Sequence, residues 1–119
     1  MESKNKAHLE FNRVLNIIGS KWNLFIIWSL KDGTLRFSEL QKRVGDVNSK
    51  TITKHLRDLE KSKIVNRTVY PEVPPRVEYA LTEQGLAFLP VFKAIRKWGD
   101  HYLSLSAEVP QVRISEPRS

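Results

Sequence analysis

Residues 48–81 read NSKTITKHLRDLEKSKIVNRTVYPEVPPRVEYAL, and two patterns meet in this stretch. Asn48 is a good cap for a helix on which Ile52, Leu56 and Leu59 recur at i, i+4 and i+7, so that stripe should face a core. At the helical step of about 100° per residue from Ile52, Lys50, Lys54, Arg57 and Lys61 fall on the opposite side. Thr51, Thr53 and His55 add short donors and acceptors. Such a face suits a nucleic-acid duplex, because a helix in the major groove meets base edges while flanking cations meet phosphates. It equally suits a solvated helix face on which Asp58 and Glu60 pair locally with Lys54, Arg57 or Lys61. Beyond the helix, Ile64 to Tyr70 turns β-branched and aromatic, Pro71 to Pro75 breaks regular structure, and Val77 to Leu81 resumes it. This predicts a hairpin with a proline-stiffened tip flanked by Arg67 and Arg76, with Arg76 as the candidate groove or phosphate contact.

Upstream, apolar residues recur at helical spacing from His8 to Ile18, and Gly19 offers a stop. Ser20 can cap a second helix through Trp22, Leu24, Phe25, Ile26, Ile27, Trp28 and Leu30, apolar nearly all round and closed by Gly33. Thr34 to Phe37 reads as extended. Ser38-Glu39-Leu40-Gln41 has the spacing of a capping box, with Ser38 and Gln41 satisfying free amides of a short third helix that ends near Val44-Gly45. Downstream, Thr82 opens a long last helix carrying Leu86, Leu89, Phe92, Ile95, Trp98 and Tyr102, with Pro90 predicted to kink it. The expected fold class is α+β, mainly helical: a winged helix-turn-helix with a two-stranded wing and flanking N- and C-terminal helices. Residues 1–7 read as a flexible N-terminus, 8–106 as the domain and 107–119 as a flexible tail.

Composition bounds the function. The chain has 119 residues, 40% of them hydrophobic, and 20 lysines and arginines against 13 acids give a formal charge of +7. With a pI near 9.9, its surface should attract polyanions. It contains no cysteine, which excludes disulfides, thiolate metal sites and cysteine nucleophiles. The apolar run Leu24 to Leu30 is too short to span a bilayer, Met1 to Lys6 has no apolar signal region behind it, and a cytoplasmic protein is expected. His8, His55 and His101 have no metal-binding spacing, and no cofactor is expected. Asp100, His101 and Ser104 do not assemble a triad on one helix, which argues against an enzyme. The helices carry more apolar surface than so small a core can cover. That predicts a homodimer through Leu9, Phe11, Val14, Leu15, Phe92, Ile95, Trp98 and Tyr102. An apolar pocket between the first, second and last helices could also accept a small-molecule effector.

Five segments carry a resemblance: Ile18-Gly19-Ser20-Lys21-Trp22, Arg36-Phe37-Ser38-Glu39-Leu40, Leu56-Arg57-Asp58-Leu59-Glu60, the wing from Val69 to Tyr79, and Leu81-Thr82-Glu83-Gln84-Gly85. Over Leu9 to Tyr102 the chain closely resembles the HxlR family of transcriptional regulators, relatives of the MarR-type winged helices. The resemblance implies a homodimer joined through its first and last helices, bound to a two-fold operator in double-stranded DNA. It assigns DNA contact to Asn48, Ser49, Lys50, Thr53 and Lys54 and, on the wing, to Arg76. With Thr51 and Arg57 on the same helix, and Arg36 and Arg67 as further wing and backbone contacts, these form the expected interface. The chain departs from the family in two places. Leu9-Glu10 stands where members commonly have Cys-Pro, so thiol-based sensing is not expected. Lys63 stands where the turn before the wing usually has glycine. The alternative from another class is a winged helix used as a protein-interaction module of anti-repressor type, against which the basic fourth helix argues.

Overall fold

The computed structural model describes residues 2–45 and 47–106, so the expected flexible tail at 107–119 lies outside the described residues. The element order is α1 (Glu2–Ile18), α2 (Lys21–Ser29), β1 (Leu35–Arg36), α3 (Phe37–Val44), α4 (Ser49–Lys61), β2 (Val65–Tyr70), β3 (Arg76–Leu81) and α5 (Glu83–Ser106). The three strands form one antiparallel sheet in the order β1-β3-β2. The mainly helical winged helix-turn-helix is thus present, and the extended piece before α3 joins the wing as its third strand. The fold separates into two compact units, one over Met1–Leu89 and a second beginning at Pro90.

The first unit is organised by α2 and α4. Ile26, Ile27 and Leu30 of the α2 segment, Leu40 of α3, Ile52, Leu56 and Leu59 of α4, and Val65 of β2 are all essentially inaccessible and form one cluster. Burial of a side chain of this size stabilises by about 1.5–3 kcal/mol. Leu35, Phe37, Tyr79 and Leu81 close the cluster from the sheet side. In β2 and β3 the register sets Val65 opposite Leu81 and Arg67 opposite Tyr79, while Leu35 of β1 faces Tyr79 from the other side.

Several local boundaries differ from the sequence reading. α1 begins at Glu2 rather than His8, so residues 2–7 are helical. They contain neither glycine nor proline, but with no apolar stripe they gave periodicity nothing to register. α2 is capped by Ser20, whose Oγ accepts from the Asn23 amide at 3.3 Å, but it ends at Leu30 and not at Gly33. Gly33, at φ 139°, closes the following turn. α3 starts two residues earlier than a Ser38 cap requires: Arg36 is the N-cap, and its amide donates to Glu39 Oε1 at 2.8 Å. Gln41 instead reaches forward, donating to the Val47 carbonyl at 3.2 Å and to Ser49 Oγ at 3.3 Å.

The exit from α4 explains two sequence motifs. The Ile64 amide donates to Leu59 O at 2.9 Å and the Lys63 amide to Glu60 O at 3.1 Å, the paired bonds of a Schellman cap. Such a cap needs a left-handed residue, and Lys63 occupies it with φ 64°. Thr82 then fastens the start of α5 to this turn. Its hydroxyl lies 2.6 Å from Lys63 O and 3.1 Å from Ile64 O, and it also accepts from the Gly85 amide at 3.1 Å. A Cβ on Gly85 would stand 2.5 Å from Ile64 O, so this close approach accepts only glycine.

One polar link crosses the core boundary between α2 and α4. Asn23, only 5% exposed, donates from Nδ2 to Ile17 O at 2.9 Å, and its Oδ1 lies 2.9 Å from His55 Nδ1. Burial, followed by the adjacent positive charge of Lys54, lowers the His55 pKa below the usual imidazole value. In the second unit, α5 continues through Pro90, which has no N–H to donate. Trp98 and Tyr102 stack along it with ring centroids 5.2 Å apart. Among the described residues, no helix is long and apolar enough to cross a membrane.

Two predictions follow from these local geometries. Lys63→Gly should raise stability by about 1 kcal/mol, because relief of the left-handed backbone outweighs the entropy that glycine adds to the unfolded chain. A thermal melt should show this as an increase of roughly 4 °C, and no increase would contradict the strain. The second concerns pH. The folded state disfavours the charged His55 ring, so the unfolded chain takes up its proton first as pH falls. Stability is full above the unfolded-state value of about 6.5 and declines as pH drops through it towards the lower folded value. His55→Gln should remove that decline as pH is lowered through about 6.5, as measured by urea titration.

Candidate nucleic-acid interface

The geometry of α4 separates its two faces cleanly. Ile52, Leu56 and Leu59 are buried, and Lys50, Lys54, Arg57 and Lys61 are exposed on the other side. Asn48 caps the helix by accepting from the Thr51 amide at 2.9 Å. Asn48, Ser49, Lys50, Thr51, Thr53, Lys54 and Arg57 together line one open concavity over the first turns, so the residues expected on this helix share one surface. Gln41, which the sequence reading placed in a local cap, holds Ser49 at the edge of that surface.

Local pairing consumes little of this charge. Lys54 Nζ lies 3.3 Å from Asp58 Oδ2, but the lysine side chain remains 70% exposed, and such a pair contributes at most a few tenths of a kcal/mol. Among the described residues, Lys50, Arg57 and Lys61 are held in no ion pair. His55 does not belong to this face. It is half-buried and turned towards Asn23 and Ser20, which corrects its placement among the outward donors and acceptors.

The wing differs more from expectation. Arg76 is not a free cation presented by the tip. Its Nη2 and Nε bind the two Glu72 oxygens at 2.9 and 3.3 Å, its Nη1 binds Glu78, and its guanidinium covers the Tyr70 ring 3.9 Å from the centroid. Both carboxylates hold Arg76 protonated more firmly than usual, the Glu72 hydrogen bonds most strongly, and Arg76 in turn pulls the Glu72 pKa down. The sequence contained the reason: Glu72 and Glu78 lie four residues before and two after Arg76, within reach once the hairpin closes. Arg36, exposed in β1 opposite Glu78, also lowers the Glu72 pKa through its charge. Arg67 is exposed in the middle of β2.

The residues expected at a dimer interface leave apolar surface uncovered on two helices. On α1, Leu9 and Phe11 are each more than 60% exposed, and Val14 and Leu15 are also open to solvent. On α5, Ile95, Trp98 and Tyr102 are exposed, and Phe92 is half-buried. A separate cleft of about 730 Å³ lies among α1, the start of α2 and α4, with Arg13, Asn23, His55 and Asp58 in its lining. Most residues lining it are polar or charged, though carbon atoms make up the larger part of its surface, and α4 lines it where the sequence reading expected the last helix. Among the described residues no group of histidines and acids could hold a metal ion.

Comparison with known proteins agrees with this architecture. The model of the HxlR-like helix-turn-helix family matches residues 17–107. An uncharacterized HTH-type transcriptional regulator of Methanothermobacter thermautotrophicus is 49% identical over 88 residues, covering 74% of this chain and 67% of the relative. Among solved structures, the redox regulator HypR in its reduced form is similar with a TM-score of 0.75 and 33% identity, over 83% of this chain and 98% of that one. A Porphyromonas gingivalis W83 chain described as a MarR-family transcriptional regulator is similar with a TM-score of 0.70 and 34% identity, over 75% and 87%. These relatives are regulators and not enzymes. With a buried stripe and a basic outer face on its fourth helix, a three-stranded wing and a family match over most of its length, the chain belongs to the HxlR-like helix-turn-helix family of transcriptional regulators.

Proposed function

We propose that the protein binds double-stranded DNA sequence-specifically as a homodimer on a two-fold operator, with α4 in the major groove and the wing on the backbone or minor groove. The observation that carries this reading is the outer face of α4, where Lys50, Lys54, Arg57 and Lys61 stand exposed opposite a fully buried stripe. Ser49, Thr51 and Thr53 supply hydrogen-bonding groups beside them, as base-edge recognition requires. Arg36 and Arg67 are the wing-side cations that reach phosphates, while Arg76 gives the wing its shape through Glu72, Glu78 and Tyr70. The exposed apolar faces of α1 and α5 are each covered by a second copy, which spaces two reading helices for the two half-sites. A cysteine-based redox switch has no thiol to act on in this chain.

Affinity for a duplex selected by the protein from a random pool should drop by roughly 10³-fold or more between 50 and 200 mM salt, the response of a dimer meeting several phosphates per copy. Lys54→Ala should cost about 1–3 kcal/mol on that duplex and less on unselected DNA. Equal losses on both would remove Lys54 from base reading. Sedimentation at micromolar concentration should show a dimer, and a monomer would overturn the assigned role of the two apolar faces.

Arg76→Ala should weaken binding to all duplexes, because it leaves Glu72 and Glu78 unpaired on a surface facing phosphates. Replacing both carboxylates in that background, by Glu72→Gln and Glu78→Gln, should recover most of the loss. A direct phosphate contact by Arg76 would leave the triple variant as weak as the single one.

A further inference from the structure

Apolar packing has no preferred direction, so Ile52, Leu56 and Leu59 set which face of α4 meets the core but fix its rotation about its own axis only coarsely. That rotation matters for a helix that reads a groove. At a side-chain radius of about 5–6 Å, a roll of about 10° moves a contacting atom by about 1 Å. Such a displacement is enough to carry a hydrogen bond outside its usual range of about 2.7–3.2 Å.

His55 stands on the flank of α4, about 60° round from Ile52 at the helical step. Its hydrogen bond to Asn23 is directional, and the donor and acceptor roles in it are determined by connectivity. Asn23 Nδ2 donates to the Ile17 carbonyl, so Oδ1 is the atom that faces the ring and His55 Nδ1 must carry the proton. Ser20 Oγ stands near the same nitrogen at 3.5 Å, and it is also the oxygen that caps α2. Nε2 is left as a bare acceptor with no partner among the described residues. Asn23 is nine-tenths buried and has no room to reorient. The charged groups in the lining of the cleft that His55 shares are Lys54, Asp58 and Lys61 on α4 and Glu10 and Arg13 on α1.

We infer that Asn23 and His55 form a positioning pair that fixes the roll of α4, and so decides which base edges its outer face reaches, although neither residue touches DNA. The inference rests on the reading of α4 as the DNA-recognition helix. Because Asn23 is also tied to Ile17 at the end of α1, the pair joins the reading helix to a helix given to dimerisation.

The test compares affinity for a duplex selected from a random pool with affinity for an unselected duplex at fixed salt. His55→Phe fills the space of the ring without a donor, and Asn23→Leu removes the acceptor at nearly constant volume. Each should lower the ratio of the two affinities roughly tenfold, the equivalent of about one well-aligned base contact. Binding to the unselected duplex and the salt slope should not change, since every cation of the outer face is retained. His55→Gln, which keeps an amide donor, should restore the ratio, and the double variant should be no worse than either single one. An unchanged ratio in folded His55→Phe, or additive losses in the double variant, overturns the pair. Nitrogen NMR of the unaltered protein gives a second readout that requires no variant to fold: His55 should be the Nδ1–H tautomer, and an Nε2–H ring contradicts the linkage. A wild-type protein that prefers no sequence at all would overturn the DNA reading itself, whereas a selective wild type with an unresponsive His55→Phe removes only the positioning role.

Discussion

The fold rests on the one-sided burial of α4. Three side chains, Ile52, Leu56 and Leu59, are inaccessible, while the cations between them remain in water. The arrangement is possible because the helical repeat puts the two sets on opposite sides, and it is stable because Ile26, Ile27 and Leu30 of the α2 segment meet the buried side. The remaining elements serve that seat. α3 and Gln41 hold its N-terminal end, and Lys63 and Thr82 hold its C-terminal end. A substitution that shortened the stripe would therefore disturb the basic face without touching a charge, because cavity formation in this cluster costs about 2–5 kcal/mol for a leucine-to-alanine change.

How far the sequence disclosed this depended on the range of each interaction. α4 was legible because burial on one side leaves a regular trace, α2 because it is apolar nearly all round, and the two long wing strands because β-branched and aromatic residues flank a proline-rich break. The first turns of α1 carried no such trace, and the helix there follows from permissive residues rather than patterned ones. The cap of α3 was misread because Ser38 and Gln41 have the same spacing as Arg36 and Glu39 two residues earlier, and local rules alone cannot rank the two. The ion pairing of Arg76 was the feature least legible in the sequence. A cation at a turn looks available until the hairpin register brings Glu78 and the loop brings Glu72 to it, and that is a property of tertiary closure.

The link between Asn23 and His55 belongs to the same class. Thirty-two residues separate the partners, and neither stands out alone: an asparagine within an apolar helix and a histidine on a basic one. Only the crossing of α2 and α4 makes them a pair. Lys63 was flagged as a departure, and the structure gives that departure a physical meaning, because the backbone here takes the left-handed conformation that glycine adopts at least cost.

The self-contained wing has a kinetic consequence. Because the one positive charge of Arg76 is met by two carboxylates, Glu72 and Glu78, this cluster keeps a net negative charge and offers a distant polyanion no attraction, and at physiological salt little of its field extends past a Debye length of about 8 Å. Among the described residues the exposed cations of α4 enter a single ion pair, Lys54 with Asp58. The torque that a distant polyanion exerts on the tumbling molecule therefore acts mainly through the helix face. Encounter is oriented by α4 first, and the wing tip engages only once surfaces are close enough for shape, rather than long-range attraction, to decide the fit.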